Sequence, residues 1–290
     1  MMHSKHSQLR NTWFIVGLAV LLVVLTSVGG LRTVMAQDGP APIVIAYDSD
    51  IDHIDPQHFR SLGAYDATGN LYEPLITQAL MANDNGELIG QRSFEGAGAE
   101  SYEVSEDGTV FTFHLRQDAK FADGTPITAH DYKYTLDRAL NGTGYIALLA
   151  PFMALASSDQ VVVVDDYTLT VTTEQPAALT ETILAFQVLG AYSSATAEAN
   201  ATAEDPWADA WHFTNSNSSG PYAITTWEPG VQYVFEPNPN YWRGADWFQN
   251  SSVIFRVVPW VCRSAVWRAW KKTRTSRSTP FPRPASTSSA

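Results

Sequence analysis

Apolar and polar side chains alternate with a period of two over Val110–Leu115. Phe111, Phe113 and Leu115 fall on one face, and Val110, Thr112 and His114 on the other. Ser101–Ser105 precedes this arm and Glu106-Asp107-Gly108 separates the two, which predicts a hairpin closed by an Asp-Gly turn. Val161–Val164 and Tyr167–Thr172 repeat the pattern around Asp165-Asp166, with Tyr167, Leu169 and Val171 inward. Tyr222–Trp227 and the Val231, Tyr233, Phe235 arm repeat it around Glu228-Pro229-Gly230. Pro42–Tyr47, a short apolar run bounded by proline and acids, predicts a buried strand, and Ser252–Val258 a further one.

Helical spacing is clearest where Tyr132, Leu136 and Ala139 or Leu140 share a face, behind the capping box Thr128-Ala-His-Asp131. That predicts a helix over 129–140. Further helices are expected near 61–72 and 177–189, and Ala195–Glu204 reads as a surface helix or linker. Hairpins and helices mix without a regular βαβ repeat, so the fold class is α/β in the mixed α+β sense.

The two ends break this pattern. His3–Arg10 is polar and basic, Trp13–Val28 is an uncharged apolar run, and Val34-Met35-Ala36 puts small residues before Gln37. A basic head, an apolar stretch and a small-residue site in that order predict an export signal over residues 1–36, cleaved near Ala36. The apolar run has 16 residues, short of the roughly 20 that span a bilayer comfortably. An uncleaved membrane anchor is the alternative. No cysteine lies near Ala36, which excludes a lipid-anchored mature N-terminus.

Composition adds charge to this picture. The 290 residues carry 18 Lys and Arg against 30 Asp and Glu, a net charge of −12. Residues 1–36 and 260–290 contain no acid, so the body between them holds all 30 acids against eight basic residues. Such a body repels phosphate backbones, and nucleic-acid binding is not expected. Cys262 is the single cysteine, which excludes an internal disulfide framework or a Cys-rich metal site.

Sequence chemistry for catalysis is absent. There is no GxxxxGK[ST] or GxGxxG loop, no GxSxG elbow and no HExxH pair. Asp48-x-Asp50-x-Asp52 resembles the start of a calcium loop. However, His53 stands where that loop needs glycine and Phe59 where it needs glutamate. No metal, no cofactor and no catalysis are expected; the stretch reads instead as a polar loop lining a cleft or facing solvent.

Three blocks together resemble the extracytoplasmic solute-binding proteins of ABC importers that capture oligopeptides, dipeptides or nickel, the family 5 proteins. The first is Ile54-Asp55-Pro56 with Leu71-Tyr-Glu-Pro-Leu75, and the second is Tyr102–Arg116 continuing through Lys120–Asp131. The third is Ser219-Gly-Pro-Tyr222 with Trp227, Pro229-Gly230 and Asn238-Pro-Asn-Tyr-Trp-Arg-Gly244. Order and spacing match over residues 43–258, with a departure at Ser219, where the family usually has Gly or Asn. The resemblance implies a periplasmic-binding-protein type II-like first lobe with an inserted subdomain, the second lobe missing. Lobe I would comprise 37–80 and 205–259, and the subdomain 81–204.

It further implies a monomeric periplasmic or outer-surface protein that hands a peptide-like solute to a membrane permease. Nickel-complex or oligosaccharide capture is the alternative within the fold, and a membrane-anchored sensory or scaffold protein is the alternative outside it. The implied ligand contacts are Asp50, Ile51 and Asp52: the segment before the Asp-Pro pair runs along the cleft in this family and can pair with the ligand main chain. Carboxylates there suit a cationic amine. Tyr241 and Trp242 read as packing aromatics rather than contacts.

The likeness ends, on this reading, at Pro259. Residues 260–290 hold three of nine tryptophans, ten Ser/Thr, seven basic residues and no acid. A frameshifted, disordered tail on a fragment of a binding protein is expected there, with a functional basic tail as the rival.

Overall fold

Phe111, Phe113 and Leu115 all point into a core, while His114 on the opposite face is exposed. They lie on β5 (Val110–Leu115) of a four-stranded antiparallel sheet completed by β4 (Ala99–Val104), β6 (Val161–Asp165) and β7 (Thr168–Thr172), in the order β4-β5-β7-β6. Phe113 pairs with Leu169 and Phe111 with Val171, so the buried faces of both hairpins coincide. Gly108 makes the β4–β5 turn with φ +73°, a conformation glycine adopts without steric penalty. The computed structural model describes residues 41–257, apart from 48, 59, 86, 245–247 and 249–251. The predicted export signal and basic tail lie outside the described residues.

A 13-residue helix, here α2 (Ala129–Asn141), packs its buried face, including Tyr132, Leu136 and Ala139, onto this sheet. Asp131 Oδ2 accepts from Thr128 N at 2.8 Å and from Thr128 Oγ1 at 3.0 Å, satisfying a donor at the helix start. The buried residues of this core lie between Leu75 and Ala191, with Tyr65 and Trp242 packed against it from outside that span.

A second core gathers Ile51 to Tyr72 with Tyr192 to Phe255. It sits beside a four-stranded sheet in the order β1-β10-β9-β8, from β1 (Ile43–Tyr47), β8 (Tyr222–Glu228), β9 (Gln232–Pro237) and β10 (Val253–Val257). Tyr222, Tyr233, Phe235 and Phe255 are its buried aromatics. Along the chain the buried residues of the two cores part near residues 72–75 and 191–192.

Three expectations need correction. The Pro42–Tyr47 run does form a strand, but among the described residues β1 is an edge strand: it pairs only with β10, in parallel, and Ile43 and Val44 are 41% and 51% exposed. An apolar run therefore marked β-propensity here and not burial. The single helix near 177–189 is a five-residue α3 (Thr180–Leu184) and a separate 3₁₀ turn, Gln187–Leu189. Phe186 turns extended between them (ψ 136°), and Gly190 then presses against Tyr72, where a Cβ would lie 2.6 Å from the Tyr72 Cβ. The helix near 61–72 is α1 (Leu62–Thr68), capped by Ser61 and ending at Gly69.

The antiparallel ribbon of β2 (Ile76–Ala82) and β3 (Leu88–Gly96) carries no such signal in the sequence. Leu80, Met81 and Ile89 are each about half exposed, so water on both sides removes the alternation a half-buried strand would show. Short helices α4 (Ser194–Asn200) and α5 (Asp209–His212) complete the fold. Among the described residues no helix is long and apolar enough to cross a membrane.

Candidate functional site

The chain leaves β1 at Tyr47 and crosses to α1 without a ladder. This stretch carries Asp50, Ile51 and Asp52. Asp50 and Asp52 are exposed, while Ile51 is buried with Ile54 in the second core. The three residues are adjacent but present different groups. Asp50 Oδ1 accepts from Ile51 N at 3.0 Å and from the Tyr233 hydroxyl. Burial and the Asp50 carboxylate both push the Tyr233 phenol up, so it stays a donor. Ile51 offers only main chain, and its carbonyl lies 3.3 Å from the Tyr233 hydroxyl.

Asp52 is the more open acid. Its Oδ2 is 3.4 Å from His53 Nε2, and its Oδ1 accepts from Ser61 Oγ at 3.4 Å. The Asp52 N–H and C=O have no partner among the described residues. The stretch thus presents two carboxylates and, at Asp52, open main chain on a buried apolar footing. A cationic amine and an extended main chain are the groups it can bind.

Behind it lies a buried charge cluster that the sequence did not reveal. Asp55 is fully buried, and Arg138, on the last turn of α2, is 1% exposed. Arg138 Nη1 and Nη2 donate to Asp55 Oδ1 and Oδ2 at 3.0 and 2.5 Å, and Nη2 also to Asp209 Oδ1 at 2.5 Å. The Tyr192 hydroxyl donates to Asp55 Oδ1 at 2.5 Å, and Gln57 N to the same oxygen at 3.0 Å. Burial alone would raise the Asp55 carboxyl. The Arg138 charge, with the His58 and Arg138 hydrogen bonds, outweighs burial and holds it well below the usual carboxylate range.

Asp55, His58 and Asp209 bring ligand atoms within 4.8 Å of one another, a spacing a metal could use. The guanidinium of Arg138 already bridges the two carboxylates. A dication there would face that fixed positive charge, so the donor set does not fit a metal.

A second buried acid, Glu73, is 8% exposed and accepts from Tyr241 OH and Trp242 Nε1 at 3.1 and 3.2 Å. Burial raises its carboxyl above the usual range, against the pull of those two bonds. Arg116 and Arg243 stack on the Trp242 ring at 3.6 and 4.4 Å from its centroid. An open cavity of about 470 Å³ borders Tyr72, Glu73, Gln78, Gln187, Tyr241 and Arg243. Tyr241 is packed, as its aromatic character implied, and also hydrogen-bonds an acid.

The family model of the bacterial extracellular solute-binding proteins, family 5 (middle), matches residues 93–269, reaching past Pro259. The periplasmic oligopeptide-binding protein OppA of Escherichia coli K12 is 25% identical over 281 residues, covering 89% of this chain and 48% of OppA. The probable D,D-dipeptide-binding periplasmic protein DdpA of the same strain is 34% identical over 153 residues, 52% of this chain and 28% of DdpA. Among solved structures, Haemophilus influenzae OppA in complex with RPPGFSPFR aligns with a TM-score of 0.64 at 24% identity, over 81% of this chain and 45% of that one. Helicobacter pylori DppA in complex with the peptide STSA gives 0.64 at 22% identity, over 80% and 45%. The chain spans about half the length, or less, of the relatives it matches.

Proposed function

The chain belongs to the bacterial extracellular solute-binding proteins of family 5, and from that premise we propose that it captures peptides outside the cytoplasmic membrane as the substrate-binding part of an ABC importer. In this reading residues 37–80 and 205–259 form the first lobe and 81–204 the inserted subdomain, with a permease as the protein partner. The observation that carries it is the stretch Asp50–His53, which offers two exposed carboxylates and the open main chain of Asp52 on a buried apolar base. Asp52 receives the peptide ammonium, and the main chain at Asp52 pairs with the peptide backbone. Affinity then comes from groups every peptide shares, independent of side-chain identity. The solved peptide complexes of OppA and DppA support this choice of solute over a nickel complex or an oligosaccharide.

Amide chemical shifts of the full chain, titrated with tri-alanine and with N-acetyl-tri-alanine, test the reading. Tri-alanine should move the Ile51, Asp52 and His53 amides, and acetylation should abolish most of the effect. If neither peptide moves these amides, the assignment fails.

A further inference from the structure

We propose that Arg138 and Asp55 are positioning residues that hold the stretch Asp50–His53 in its binding shape, an inference that rests on the peptide-binding reading above. The stretch lies outside any ladder, and an unladdered segment of this length samples many conformations unless it is fastened. The side chains of Ile51 and Ile54 fix its floor in the second core. Two further ties set its direction, and both run through Arg138.

The first tie is direct. Asp55, three residues beyond Asp52, is clamped by both terminal nitrogens of Arg138 and by the Tyr192 hydroxyl. A buried carboxylate so held cannot shift without stranding a buried guanidinium.

The second tie runs through α5. Arg138 Nη2 also donates to Asp209, the first residue of α5. Phe213, at the C-terminal cap of that helix, accepts from Ile54 N through its carbonyl at 3.0 Å. The Phe213 ring stacks on His53 with centroids 5.0 Å apart and planes 21° apart. One side chain on the helix that packs against β6 and β7 therefore braces the stretch from below and from beside. Arg138 touches none of the residues proposed to meet the peptide; it acts through Asp55 and Phe213.

Hydrogen exchange and peptide titration of the full chain carrying Arg138→Lys, Tyr192→Phe or Asp209→Asn test this. A lysine cannot span two carboxylates in the forked geometry. Arg138→Lys should speed exchange at the hydrogen-bonded amides of Ile51 and Ile54 by about tenfold or more, the scale of one lost charge-assisted bond. Exchange at Phe111, Phe113 and Leu169 should stay within about twofold of the parent. Tri-alanine binding should weaken in step with the change at Ile51 and Ile54. Tyr192→Phe removes only a hydroxyl and should give a smaller shift at the same amides; it decides the matter if Arg138→Lys does not fold. Asp209→Asn should act mainly on His53 and Ile54. Unchanged exchange at Ile51 and Ile54, or a rise shared equally with the β5–β7 amides, overturns the proposal in favour of a general structural role. If the parent shows no response to tri-alanine while the exchange changes are as expected, the positioning stands and the choice of peptide as solute falls.

Discussion

The amide of Gly220 donates to the carbonyl of Leu71 at 2.9 Å, and a Cβ on Gly220 would lie 2.7 Å from the Leu71 carbonyl carbon. Tyr222 N donates to Asn70 O at 2.9 Å, and Ser219 Oγ accepts from Glu73 N at 3.1 Å. The Ser219–Tyr222 and Leu71–Leu75 blocks that marked the family in the sequence are therefore one clasp in space. The glycine is needed for close approach of two backbones.

Gly220→Ala should destabilise the protein by about 1–3 kcal/mol, the usual range for overpacking a filled site. At Gly230, with φ +76°, an added Cβ would have nothing within 4 Å, and Gly230→Ala meets only backbone strain. That strain is worth about 1–2 kcal/mol. Urea melts at one temperature compare them, and a negligible effect of Gly220→Ala would mean that the clasp yields.

Phe113→Ala and Phe111→Ala should each cost about 3–5 kcal/mol, since both rings are buried in the first core. His114→Ala, on the exposed face of β5, should cost about 1 kcal/mol or less. Urea melts check the order, and a costlier His114 would contradict the register that pairs Phe113 with Leu169.

These hairpins were legible because one face of each is dry and the other wet. Phe111, Phe113, Leu169 and Val171 announce their direction two residues at a time. The Thr128–Asp131 helix start was equally local. The charge cluster was not, because Asp55, Arg138, Tyr192 and Asp209 are scattered through the chain and each is ordinary among its neighbours in sequence. Arg138 lies between Asp137 and Ala139 on a helix whose apolar stripe is already complete without it. Glu73 was visible only as part of a family block, with no hint that Tyr241 and Trp242 would close over it. Of the residues implied by resemblance, Asp50 and Asp52 do offer carboxylates outward, whereas Ile51 contributes its side chain to the core.

His212 is 2% exposed, with its ring against Tyr192 and Trp211. Burial, and then the Arg138 charge, lower its pKa to about 4. The folded state therefore binds fewer protons than the unfolded state between about pH 6.5 and about pH 4. Stability is complete above that window and falls as the pH drops through it, by about 3 kcal/mol in total. His212→Phe should flatten this part of the urea-midpoint profile. Parallel profiles for parent and variant would mean that His212 is charged in the fold.

Glu73 has the opposite sign. Its carboxyl is raised by burial, so the folded state favours the proton and stability is lost as the pH rises through the native value. Glu73→Gln keeps an oxygen for Tyr241 and Trp242 without a charge to bury. The variant should be at least as stable as the parent at about pH 8, with the advantage gone below about pH 3, where the parent acid is neutral in both states. Thermal melts across that range check it. A variant clearly less stable at the higher pH would show that the ionised acid is compensated by the arginines flanking Trp242.

The parallel pairing of β1 with β10, which sets Ile43 against Val253, also orders the events of folding. Contacts so distant along the chain form only after a very long loop has closed, and they come late in kinetics. The β4-β5-β7-β6 sheet and the β8–β9 hairpin are assembled from residues nearer in sequence and need no contribution from β1. A chain emerging from its N-terminus would complete these parts first, while Ile43–Tyr47 waits as an unpaired apolar strand. Until Val253–Val257 arrives, that strand is the segment most exposed to pairing with a neighbouring chain.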